Sequence, residues 1–146
     1  MSATEEFLSV ADERAIVEAI QQAETNTSGE IRVHLEGSSN KPPLERAKEV
    51  FLSLGMHQTA SRNGVLFYVC VVDHHFVILG DEGIHNLVSP NFWDETKDVV
   101  IAHFKKGNNK EGLVRGILKA GEALKQHFPY CAVTDEDELS NEISRN

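Results

Sequence analysis

Positive charge is the first thing this sequence is short of: 14 Lys and Arg stand against 23 Asp and Glu, a net charge of −9 over 146 residues. Nucleic acid and anionic lipid are both held through clustered basic surface, so no nucleic-acid partner is expected. Cysteine is scarce as well. Cys70 and Cys131 have neither a CxxC partner nor a histidine at metal-finger spacing, and both read as free thiols. Long apolar runs are missing, because the longest, residues 64–72, falls far short of the roughly 20 residues that span a bilayer. No membrane span is expected. The first ten residues, MSATEEFLSV, carry two acids where a secretory signal needs positive charge, so the expected location is the cytoplasm. There is no GxSxG elbow, P-loop, GxGxxG or HxxxH, and the acidic run from Asp135 lacks the glycine and terminal glutamate of an EF-hand. Zinc is not expected, since His74 and His75 sit in a turn or point to opposite faces of a strand.

What is present suits one α/β domain. At 16.2 kDa, scaling laws give about 7,400 Å² of folded surface against about 23,500 Å² unfolded, enough burial for one core. Ala15, Ile16, Ala19, Ile20 and Ala23 repeat at helical spacing and predict a helix over 12–24. Ile31, Val33 and Leu35 alternate with Arg32, His34 and Glu36, which predicts a half-buried strand with His34 exposed. Pro42-Pro43 opens a second helix carrying Leu44, Ala47, Val50, Phe51 and Leu54. The apolar run 64–72 predicts a strand covered on both faces, and a tight turn at Asp73-His74 sends 75–79 back as its antiparallel partner. A third helix is expected from Asn91, with Phe92 and Trp93 as core residues, and a fourth over 109–127. Residues 1–133 read as one domain and 134–146, with five acids against one arginine, as an acidic and flexible tail.

Topology then predicts a site. A strand–helix–strand unit is a parallel crossover, so the first two strands run the same way and the hairpin reverses the third. The start of strand one (Glu30), the start of strand two (Arg62, Asn63) and the end of strand three (Asp81, Glu82) therefore share one rim. Oxygen donors from Glu30, Asp81, Glu82 and Asn63 suit a hard cation, Ca²⁺ or Mg²⁺, with Arg62 as an anion contact beside it. The alternative at this point is that these acids are solvated turn residues, one of them paired with Arg62.

Several blocks in order resemble the TPM domain family, named for thylakoid-lumen, photosystem-associated and receptor-modulating members. They are Ser28-Gly-Glu-Ile-Arg-Val33, Arg62-Asn-Gly-Val-Leu-Phe-Tyr-Val69, Phe76-Val-Ile-Leu-Gly-Asp-Glu-Gly-Ile84, Phe92-Trp93, the stretch 104–107 and Glu111-Gly112-Leu113. The resemblance covers about residues 10–128. It implies a three-layer α/β/α sandwich around a small mixed parallel and antiparallel sheet, in a soluble bacterial form lacking signal and anchor. It also implies candidate functions, because plant relatives are acid phosphatases and some members bind calcium or other divalent ions. The expected function is thus an interaction module that binds Ca²⁺ or Mg²⁺ at the rim and meets an unidentified protein partner. The alternatives are a metal-dependent phosphomonoester hydrolase and a structural adaptor without metal.

Overall fold

The computed structural model describes residues 2–129 and 139–145. At its centre, β1 (Glu30–Glu36) and β2 (Gly64–Cys70) lie parallel, paired from Glu30 opposite Gly64 to Glu36 opposite Cys70. β3 (His75–Gly80) returns antiparallel along β2, and β4 (Ser144–Arg145) runs parallel to β1 opposite His34 and Leu35. The order β3-β2-β1-β4 makes the sheet mixed and places β2 inside it, and the side chains packed on both of its faces cover its unbroken apolar run. Among the described residues six α-helices accompany it, and the architecture is an α/β sandwich.

One face is packed by α2 (Val10–Glu24), α5 (Asp94–Lys105) and α6 (Asn109–Lys125). Ser9 opens α2 with a reciprocal capping box, accepting from Asp12 N at 3.0 Å while Asp12 Oδ2 accepts from Ser9 N at 3.1 Å. Ile16, Ile20, Ile117 and Leu124 from these helices bury Ile31, Val33 and Phe67 of the sheet. Gly116 lets α6 close on α5, because a Cβ there would lie 2.3 Å from Val100 Cγ2. On the opposite face α3 (Pro43–Ser53) and a 3-10 turn (Met56–Gln58) set Ala47, Val50, Phe51 and Met56 on Leu66, Tyr68 and Cys70.

The polar row of β1 differs from expectation. His34 is 2% exposed rather than solvated, and Glu30 and Glu36 are buried beside it. Polar partners cover this face instead of water. Arg46 of α3 forks onto Glu36 at 2.6–3.0 Å, the Tyr68 hydroxyl donates to Glu36 Oε2 at 2.5 Å, and Ser144 Oγ lies 2.8 Å from His34 Nδ1. Alternation records chemical character, and a partly exposed arginine forked onto a buried glutamate meets the hydrogen-bonding need of that character without solvent.

Smaller differences sit at element ends. α1 (Ala3–Phe7) and α4 (Glu82–His85) lacked a periodic signature, and α5 starts at Asp94, after the edge-to-face pair Phe92–Trp93. Trp93 still packs on the core. The hairpin turn occupies four residues, 71–74, with His74 at φ 57°. Cys70 is a buried free thiol, while Cys131 and the stretch 130–138 lie outside the described residues. Of the acidic tail, Leu139 packs with the α3-side core and Ile143 with the other.

Candidate functional site: an acidic rim and its cavity

The strand register brings the expected rim together along the backbone. Glu30 N donates to Asn63 O at 3.3 Å and Asp81 N to Gly64 O at 2.9 Å, so the starts of β1 and β2 meet the end of β3. Arg62 turns here in the left-handed region, at φ 50°. Its carbonyl accepts from Gly83 N at 2.9 Å. Only glycine fits at 83, because a Cβ would lie 2.3 and 2.5 Å from the carbonyl oxygens of Ser61 and Arg62.

Each rim side chain has a partner. Arg62 donates from Nε to Asp81 Oδ2 at 2.8 Å and from Nη2 to Asp81 Oδ1 at 2.9 Å, a bidentate fork, and from Nη1 to Glu82 Oε1 at 3.0 Å. The hydrogen bond to Asp81 raises the Arg62 pKa, and the guanidinium is charged throughout. Asp81, 6% exposed, also caps α4 by accepting from Glu82 N at 2.7 Å. Buried Glu30 accepts from Leu139 N at 2.6 Å, and buried Asn63 donates from Nδ2 to Ser28 Oγ at 3.3 Å. Of the two readings that the sequence leaves open, pairing with Arg62 is thus realised at Asp81 and Glu82. These two acids already hold a cation, and it is a guanidinium.

A cavity of about 250 Å³ opens beside this pair, with Phe51 and Leu79 as apolar wall and Lys48, His57, Arg62 and Asp81 supplying charge and polarity. His57 Nδ1 is buried without a hydrogen-bond partner. Sequence reasoning missed Lys48, fourteen residues before Arg62, and His57, which is only five before it but sits in a 3-10 turn that has no periodic signature. The available signal was slight: Lys48 and Leu52 stand one turn apart, pointing a cation and an apolar group along one side of α3.

A second constellation sits at the other end of the sheet. Among the described residues, Cys70, Asp73 and His75 form the group of metal-ligating side chains whose donor atoms all approach within 4.8 Å of one another. The rim carboxylates are not preassembled in that way. The pattern Cys-x₂-Asp-x-His is visible in the sequence, yet it acquires meaning only when the hairpin sets His75 opposite Cys70.

Helices on both faces of a small mixed sheet define the α/β/α class. The TPM domain family matches residues 1–123, and the chain belongs to that family. It is similar to the BA42 protein from the psychrophilic bacterium Bizionia argentinensis, solved by NMR, at 54% identity and a TM-score of 0.91, covering 97% of each chain. It is similar in fold to the N-terminal domain of a protein from P. gingivalis, also solved by NMR, at 20% identity and a TM-score of 0.67, over 84% of this chain and 79% of that one. No curated protein matches it. No helix among the described residues is long and apolar enough to cross a membrane.

Proposed function

We propose that this TPM domain is an interaction module that binds a divalent cation, Ca²⁺ or Mg²⁺, at the rim of Glu30, Asn63, Asp81 and Glu82. The observation that carries this reading is the Arg62 guanidinium clasped by Asp81 and Glu82, an all-oxygen acid pair built around positive charge. The donor chemistry fits a hard cation, with three carboxylates and an amide within one edge of the sheet. Because Arg62 neutralises the acids when no metal is present, cation binding displaces the guanidinium, and the two charges compete. A buried Asp81 is never left uncompensated, which keeps the empty fold stable.

Competition yields a test. In calorimetric titration with Ca²⁺, Asp81→Asn abolishes binding, while Arg62→Ala tightens it because the competing charge is gone. Arg62→Ala binding no tighter than wild type refutes the exchange.

The adjoining cavity favours a second reading, metal-dependent hydrolysis of a phosphomonoester. Lys48, His57 and the released Arg62 side chain would bind and orient the phosphoryl oxygens, and the Phe51–Leu79 wall would exclude water from one side. A bound divalent ion supplies Lewis-acid polarisation of a phosphoryl oxygen. Turnover of p-nitrophenyl phosphate that requires added metal and disappears in both Asp81→Asn and Lys48→Ala supports this use. Turnover unaffected by either change excludes it.

A further inference from the structure

We propose that the carboxyl end of the parallel strands carries a separate site for a zinc-type divalent ion, with Cys70 Sγ, an Asp73 carboxylate oxygen and a His75 ring nitrogen as its protein ligands. This site shares no residue with the rim, and its test does not depend on the rim reading.

The hairpin brings the three donors together for stated reasons. Cys70 ends β2 and pairs directly with His75 at the start of β3, and opposite residues in an antiparallel pair project their side chains to the same face. Four turn residues suffice for this return because His74 adopts a left-handed conformation, φ 57°. Asp73 stands between the two strands, and its Oδ2 accepts from Ser39 N at 3.0 Å, a backbone hydrogen bond from the loop after β1 that fixes the carboxylate. Cys70 Sγ donates to the same Oδ2 at 3.3 Å and approaches Gly37 O at 3.7 Å. The thiol and the carboxylate are thus both held by groups outside the donor set, the kind of support that orients metal ligands.

The spacing suits the ion. Zinc–sulfur, zinc–nitrogen and zinc–oxygen bonds of about 2.0–2.3 Å at tetrahedral angles put ligand atoms about 3.4–3.6 Å apart. The sulfur and the Asp73 oxygen are already 3.3 Å apart, and all three donor atoms lie within 4.8 Å of one another. His75 is exposed, so its ring closes the remaining gap by side-chain rotation. Mixed sulfur, nitrogen and oxygen donors select zinc-type ions over calcium and magnesium, which prefer oxygen alone. On binding, the S–H bond breaks, the metal–sulfur bond forms, and one proton leaves to solvent. Three protein ligands leave the fourth position to water. The carboxyl ends of parallel strands are also where open α/β sheets take their ligands.

Cobalt(II), which reports a bound thiolate by its charge-transfer absorption, is the probe. We expect a band in the full chain that saturates at one equivalent, persists in Cys131→Ser and is lost in Cys70→Ser. His75→Ala, at an exposed position that leaves the fold intact, should weaken cobalt at least about tenfold. Zinc should bleach the band, and excess calcium should not. Absence of the band in the wild type, its survival in Cys70→Ser, or unchanged affinity in His75→Ala overturns the site, and the His75 variant decides even if Cys70→Ser fails to fold.

Discussion

At the scale of single residues, His34 and Arg62 carry most of the consequence. Burial pushes the His34 imidazole below its ordinary pKa; Glu36 pulls the other way, and Arg46 and Arg32 add to the depression. The folded state therefore resists a proton that the unfolded chain accepts. The stability tied to neutral His34 is complete above the unfolded value near 6.5 and is lost as the pH falls from there toward the lower folded value, with a slope of at most about 1.4 kcal/mol per pH unit. Denaturant titrations between neutral pH and pH 5 should show this slope in the wild type and a flatter one in His34→Gln. Arg46→Ala should cost about 3 kcal/mol, because Glu36 would remain buried with one partner fewer, and urea midpoints measure it. At Arg62 the expectation concerns linkage. The variant Arg62→Ala should gain more in melting temperature from added Ca²⁺ than the wild type does, since the cation would restore the charge that Asp81 lost.

Sequence legibility stopped at this scale. The identities of the rim residues follow from element order, and pairing of an acid with Arg62 was one of the two readings left open there; the double engagement of Asp81 and Glu82 and the positive φ of Arg62, a non-glycine residue, are what no pattern announces. His34 was misplaced for a related reason. Its alternation with Val33 and Leu35 is real, and the groups that lie against it, the stacked Tyr68 ring and Ser144 Oγ, are distant in the chain.

Elements were more legible than residues. The parallel pairing of β1 and β2, the antiparallel return of β3 and the convergence of Glu30, Asn63 and Asp81 follow from the handed crossover and a tight turn. α2, α3 and α6 announced themselves by apolar spacing, whereas α4, four residues long, is too short to have a period. The contact between α5 and α6 makes a prediction at this scale. Gly116→Ala should destabilise by about 1–3 kcal/mol through overpacking against Val100, read as a lower denaturation midpoint with unchanged slope. Removal of residues 139–146 should accelerate amide exchange along β1, whose outer edge β4 partly covers, while leaving the helical circular dichroism intact. Unchanged exchange would mean that this segment does not protect the edge.

At the scale of the whole molecule, a net charge of −9 favours cations generally, so a specific site must be distinguished from diffuse attraction. The sheet separates two kinds of donor set between its ends. Oxygen donors gather where β1 and β2 begin, and the thiol–carboxylate–imidazole set gathers where they finish. Hard and borderline ions should therefore perturb opposite edges of one fold. Two-dimensional amide NMR during calcium titration of chelator-stripped protein tests the central claim most directly. Saturable shifts centred on Glu30, Asn63, Arg62 and Asp81, and absent in Asp81→Asn, are the predicted result. Shifts that never saturate, that persist in Asp81→Asn, or that centre on the hairpin from Cys70 to His75 would contradict a cation site at the rim.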